Sequence, residues 1–301
     1  MSDPYLPRRA AQTEFVPVRG LRYRLLRWGA SDAPPLVMLH GWMDVAASFQ
    51  FVVDALHGER AIVAPDWRGF GGTAPRPGTD SYWLPDYLGD LDALLDLLSP
   101  DGPVDLVGHS MGGNVAMVYA GVRPQRVRRL VNLEGFGLPG TRPAQAPTRY
   151  AAWLDELKQP ARLRDYASLD EVAERLRRNN PRLAPEHAAW LAPHWARPDA
   201  ASGRWVVQGD PAHKRTNPVL YHAEEAMACW ARIEAPVLWV EARQTDVAKF
   251  WGSRYPRAEF EQRMAVVPRL ERAVIEDAGH MLHHDQPEAV ARTIERFIDA
   301  G

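Results

Sequence analysis

The stretch Asp105 to Val115, DLVGHSMGGNV, decides the fold. Its first half is an apolar run of strand length, and its second half opens on small residues and continues as a helical pattern from Gly112 to Val122. Between them GHSMG fits G-x-S-x-G, in the strand, tight turn and helix context that this motif requires. A serine on such a turn is held in strained backbone geometry, so the positions two residues to either side, Gly108 and Gly112, must be glycine. The turn lifts the Ser110 hydroxyl above the sheet, beside a helix N-terminus that favours negative charge. Ser110 is therefore the candidate nucleophile.

Outward from this turn the chain repeats one rhythm. Short apolar runs bounded by turn residues, PLVMLH (35–40), AIVAPD (61–66), VDLVGH (104–109), RLVNLE (129–134), VLWVE (237–241) and AVIED (273–277), alternate with helical patterns. They predict a mostly parallel, buried sheet with crossover helices at 47–56, 85–98, 112–122 and 287–298. An alternating pair, 15–18 and 22–28, flanks Gly20 and predicts an antiparallel edge hairpin. The rhythm breaks after Glu134 and resumes at Val237. Residues 135–233 thus read as an insertion into a core made of 1–134 and 234–301, and its segments TRYAAWLDELKQ, SLDEVAERLRRN, PEHAAWLAPHWA and PVLYHAEEAMACWARI predict a helical lid. Within it Ser168 and Glu171 form a capping box, and RWVVQGD has the composition of a short strand.

A nucleophilic serine needs a base, an acid that orients the base, and donors for an oxyanion. In EDAGHMLHHDQPE, His280 follows a strand through a glycine-containing turn at the same sheet edge and is the candidate base. His283 and His284 lie nearer the last helix, where packing or hydrogen bonding is expected of them. HMLHH is accompanied by no carboxylate or cysteine partner set in the sequence, so no metal site is expected there. After the strand ending near Leu39, LHGWMD brings Gly41 for a close turn, so that the amides of Trp42 and Met111 can face a developing oxyanion. His40, Gly41, His109, Trp67 and Trp153 are expected around the substrate pocket, His40 chiefly as a loop-shaping residue. Two carboxylates compete for the acid. Asp246 in VEARQTD follows the strand before the one that carries His280, and Glu134 in VNLEGFG ends the strand after the nucleophile helix; both keep the order serine, acid, histidine.

Composition narrows the function. A net charge of -2 gives no electrostatic reason to expect nucleic acid, and RPQRVRRL (123–130) reads as a solvated helix end. Cys229 is the single cysteine, so no intrachain disulfide can form. No apolar run reaches the roughly 18 residues of a membrane span, and no apolar segment follows the charges near Met1, so a cytoplasmic protein acting on a small molecule, without membrane or nucleic-acid partner, is expected.

Taken in order, HGWMDVAASF, APDWRGFGGT, GHSMGG and DAGHMLHHDQPE resemble α/β-hydrolase fold proteins, in particular the serine-hydrolase-like branch that shares the HGW.D and DWRGFG stretches. The resemblance spans about 15–136 and 237–301. It implies an eight-stranded, mostly parallel sheet with a lid, Ser110 as nucleophile, His280 as base, the amides of Trp42 and Met111 as oxyanion donors, and no cofactor. The acid departs from the family pattern, in which glycine, two residues and aspartate follow the penultimate strand. Here Ala242 holds the glycine place and Thr245 the aspartate place, with Asp246 one residue late. One subgroup of haloalkane dehalogenases carries a glutamate after the strand that follows the nucleophile, as Glu134 does here. Those enzymes, like epoxide hydrolases, use an aspartate nucleophile, and Ser110 argues against both activities. The expected reaction is hydrolysis of a carboxylic ester with an apolar or aromatic acyl group. Carbon–carbon hydrolysis or perhydrolysis on the same triad, and a noncatalytic ligand receptor on the same scaffold, are the competing readings.

Overall fold

The computed structural model describes residues 3–30, 34–247 and 252–300. Its central sheet has eight strands: β1 (Gln12–Val18), β2 (Leu21–Trp28), β3 (Leu36–Leu39), β4 (Ile62–Pro65), β5 (Val104–His109), β6 (Val127–Leu133), β10 (Val237–Ala242) and β11 (Leu270–Ile275). They lie in the order β1-β2-β4-β3-β5-β6-β10-β11. The first hairpin turns through Arg19 and Gly20, both at positive φ, and pairs Val18 with Leu21. Two positive φ values suit the right-handed twist of the strands that such a turn joins. β2 runs antiparallel to β4, and every pairing from β4 to β11 is parallel.

The parallel strands are apolar on both faces because helices cover both. Met38, Val107 and Val131 face α1 (Gln50–Ala55) and α9 (Pro287–Ile298). Their neighbours Val37, Leu106 and Leu130 face the other way, toward α2 (Leu84–Leu98), α3 (Met111–Val122), α7 (Ala223–Trp230) and α8 (Arg257–Met264). The apolar stripe read in 287–298 is buried as Val290, Ile294, Phe297 and Ile298. β11 begins three residues earlier than the run 273–277 suggests. Leu270, Glu271 and Arg272 pair with β10 at the sheet's edge, where charged side chains can point to solvent.

The chain leaves β3 toward β4 and returns across β3 to β5. Strand order therefore reverses between β3 and β5, the place where the carboxyl ends of a parallel sheet open a crevice. The turns bearing Trp42 and Ser110 emerge there side by side. A Cβ on Gly112 would overlap the carbonyls of Leu39 and His40, so the helix entrance sits directly on the backbone after β3. Gly112→Ala is expected to cost about 3 kcal/mol and lower the thermal midpoint by roughly 5 °C, because only a backbone shift relieves the overlap. Differential scanning calorimetry checks this.

Residues 135–233 are not wholly helical. Along with α4 (Ala146–Leu157), α5 (Leu169–Asn179) and α6 (Pro185–Trp195) they hold a small antiparallel sheet in the order β7-β9-β8, made of Asp165–Tyr166, Trp205–Val207 and Ala196–Pro198. Trp205–Val207 falls within RWVVQGD, where a short strand is expected, whereas its two partners, of two and three residues, have too little sequence to announce themselves and depend on tertiary pairing. Ser168 caps α5 by accepting from Glu171 N–H at 3.2 Å, and the Glu171 carboxylate reaches back to Ala167 N–H at 2.9 Å. The segment is tied to the sheet's loops by Gly71 N–H to Gln208 O (2.8 Å), Asp210 N–H to Gly69 O (2.7 Å) and the Trp153 indole to Ser81 Oγ (3.0 Å). Its last helix, α7, packs in the same cluster as α3. Among the described residues no helix is long and apolar enough to cross a membrane.

Candidate active site

Ser110 stands between β5 and α3 with φ 51 and ψ -113, an unfavourable conformation for any side chain. Its N–H donates to Leu133 O at 2.8 Å, and its own carbonyl accepts from Asn114 N–H at 2.9 Å, so strand and helix both fix the strained residue. Met111 is the first residue of α3, and its N–H is one of the amides a helix leaves without an internal acceptor. Gly41 lies against Ser110: a Cβ there would come 3.2 Å from that of the serine. The next residue, Trp42, is half-exposed beside the turn.

His280 sits in the turn after β11. Its Nε2 lies 3.0 Å from Ser110 Oγ and its Nδ1 lies 3.2 Å from Glu134 Oε2. With the ring N–H on Nδ1 donating to Glu134, Nε2 is left as the acceptor for the serine proton. The histidine side chain is 25% exposed and that of Glu134 is not exposed at all, so the chain of groups runs from the solvent-facing hydroxyl into the interior.

Glu134 follows β6 with φ 60. Asn132 clasps that turn, accepting from Gly135 N–H at 2.8 Å and donating to Gly135 O at 3.1 Å. The carboxylate is then held from the neighbouring strand end: Oε1 accepts from Ala242 N–H at 2.6 Å, and Oε2 accepts from Thr245 Oγ at 2.7 Å. Ala242 and Thr245 are the two positions where the family pattern expects glycine and aspartate. In place of an aspartate of its own, that loop holds the Glu134 carboxylate delivered by β6. Burial pushes the Glu134 carboxyl above its usual value, against the pull of His280, Ala242 N–H and Thr245. Asp246, the rival carboxylate, is exposed and precedes the residues outside the description.

Two expected pocket residues prove to be buried supports. His40 donates from Nδ1 to Gly41 O (2.7 Å) and accepts at Nε2 from Trp67 N–H (2.9 Å), and the Trp67 indole donates to His40 O (3.0 Å). Both are fully buried, so they shape the loop from beneath and cannot line an open cleft. His109 is also buried, and its Nε2 donates to His280 O at 2.8 Å. Burial lowers its basicity far below that of free imidazole, and the rings of His283 and His280 push the same way, so it is a neutral prop under His280. Trp153 is partly exposed. The DWRGFG stretch is structural: Asp66 accepts from Ala46 N–H (2.8 Å) and Gly72 N–H (2.7 Å), and Arg68 makes a two-pronged bond to Asp90 of α2.

The sequence reading did not assign a role to Thr245, Asn132 or Asp44. Thr245 stood at a marked position of the family pattern, and that was its one signal. The other two act through neighbours that only the fold supplies.

The model of the alpha/beta hydrolase fold family matches residues 34–287, and the chain belongs to that family. It is similar to the serine hydrolase-like protein of Danio rerio, 26% identical over 97% of this chain and 89% of the relative. It is also similar to the 3-hydroxybutyrate-oligomer hydrolase of Cupriavidus necator, 29% identical over 91% of this chain and 92% of that one. Among solved structures, a hypothetical protein of Pseudomonas aeruginosa PAO1 superposes with a TM-score of 0.83 at 28% identity, covering 95% of this chain and 99% of that chain. Family and relatives make this chain a hydrolase of the α/β fold.

Proposed function

We propose that the protein is a serine hydrolase that cleaves carboxylic esters through an acyl-enzyme, with Ser110 as nucleophile, His280 as base and Glu134 as the orienting acid. The observation that carries this is the continuous relay Glu134–His280–Ser110, with contacts of 3.2 and 3.0 Å, ending on a strained serine at a helix N-terminus. Ser110 Oγ attacks the ester carbonyl carbon while His280 Nε2 takes its proton. The oxyanion is received by the amides of Trp42 and Met111. Collapse breaks the bond to the alcohol oxygen, which leaves with the proton from His280. Water, deprotonated by the same nitrogen, then attacks the acyl carbon and releases Ser110 and the carboxylic acid. Each step uses protein groups and water alone.

Residues 135–233 act in this reading as the lid over the crevice. Half-exposed Trp42, with Met43 and Met111 partly buried in its neighbourhood and Trp153 on α4, supports an apolar or aromatic acyl group. A small-molecule substrate and a reducing compartment such as the cytoplasm suit a chain with one half-buried cysteine. The test is a parallel assay of short p-nitrophenyl esters, a meta-cleavage diketone and peroxide with an acyl donor. The expected result is that kcat/KM for at least one ester exceeds both others by about tenfold or more, roughly 1.4 kcal/mol in transition-state binding. Faster turnover of the diketone than of every ester would overturn the assignment.

A further inference from the structure

Behind the base lies a second group of polar side chains that the triad does not use. Asp44, His283 and His284 are all buried, and one potential ligand atom from each falls within 4.8 Å of the others. Asp44 Oδ1 is fully engaged: it accepts from Val45 N–H (2.9 Å), from the Trp195 indole (3.2 Å) and from the Ser48 hydroxyl. Its other oxygen, Oδ2, has no hydrogen-bond partner, and neither does Nδ1 or Nε2 of His283. The two residues face each other at 3.7 Å, Oδ2 to Nε2, too far for a hydrogen bond. A buried carboxylate oxygen and a buried imidazole without a hydrogen-bond partner are costly, and proteins seldom leave them so. The same spacing suits two ligands of one ion, because atoms about 2.1 Å from a tetrahedral zinc stand roughly 3.4 Å apart.

We propose that Asp44, His283 and His284 form a buried site for one borderline divalent metal ion of the Zn2+ class. Two imidazoles and a carboxylate are the donor set such an ion prefers. The three donors on Asp44 Oδ1 hold that carboxylate with Oδ2 pointing at His283, which is how a ligand is oriented from its outer side. His284 Nε2, now 3.1 Å from Ser48 Oγ, exchanges that hydroxyl for the ion. The site is structural. Asp44 stands two residues after Trp42 and His283 three after His280, so one ion ties the loop of the oxyanion amides to the loop of the base. The sequence hid the site because its carboxylate lies at the other end of the chain from the two histidines.

The test uses tag-free full-length protein, stripped with a chelator and titrated with Zn2+ and with Co2+. The expected results are one ion retained per chain after desalting, visible Co2+ absorption of four-coordinate type, and a raised thermal midpoint. His283→Gln and Asp44→Asn weaken binding by about 100-fold or more, whereas Ser110→Ala and the surface variant His57→Gln bind like wild type. X-ray absorption of the zinc-loaded wild type is the check that needs no variant: a shell with two imidazoles and carboxylate oxygen is expected. No retained ion in the wild type, unchanged binding in folded His283→Gln, or a shell without imidazole would each overturn the proposal.

Discussion

Glu134→Gln is expected to lower kcat for a short p-nitrophenyl ester by on the order of 10⁴, with KM little changed, while Asp246→Asn keeps most of the activity. The reason is the proton on His280. Glu134 Oε2 receives Nδ1–H at 3.2 Å, which leaves Nε2 to accept from Ser110. A glutamine there keeps its carbonyl for Ala242 N–H and turns its amide toward the ring, so Nδ1 becomes the acceptor and Nε2 carries the hydrogen. In that tautomer His280 cannot take the serine proton. Stability moves the other way. Burial raises the Glu134 pKa in the folded chain above its ordinary value. The stability that the group contributes is therefore full at low pH and declines as pH rises through the folded pKa. A neutral glutamine escapes that decline, so at about pH 8 the variant melts at or above the wild-type temperature. Steady-state kinetics and calorimetry on one preparation test both halves. Loss of activity in Asp246→Asn with Glu134→Gln still active would reverse the assignment.

Ser110→Ala is expected to lower ester turnover by about 10⁶, leaving what binding and the oxyanion amides supply. The same change is mild for the fold. The Ser110 hydroxyl contacts His280, and the backbone bonds to Leu133 and Asn114 that hold the strained turn do not involve it. Alanine meets the same strain at φ 51 that serine does. A thermal midpoint close to wild type with turnover gone separates chemistry from folding, in contrast to Gly112→Ala, where folding itself suffers.

The sheet could be read from the chain because its strands are short, apolar and bounded by turns, and because Ser110 marks one strand end unambiguously. The loop proposed to carry the oxyanion amides and the turn carrying His280 could be placed by the same logic, since each is attached to the carboxyl end of a strand. The acid could not be chosen that way. Glu134 and Asp246 both sit near strand ends, and the choice depends on β6 and β10 being parallel neighbours, with Leu133 paired to Val240. That register lets the Ala242 amide and Thr245 close on Glu134. The burial of His40 and Trp67 was hidden for a similar reason: their mutual hydrogen bonds join loops from two strands. Within residues 135–233, RWVVQGD marked the strand Trp205–Val207, whereas Asp165–Tyr166 and Ala196–Pro198 are too short to read and gain strand form only by pairing with it.

The central claim is that Ser110 is a nucleophile activated by His280 and Glu134, and covalent labelling reads that most directly. Folded protein is treated with a fluorophosphonate and the adduct is located by peptide mass spectrometry, beside Ser110→Ala and Glu134→Gln. The account predicts one adduct per chain, on Ser110, absent from the alanine variant and formed far more slowly in the glutamine variant. Folded wild-type protein that stays unlabelled, or that carries its adduct on another residue, would contradict it.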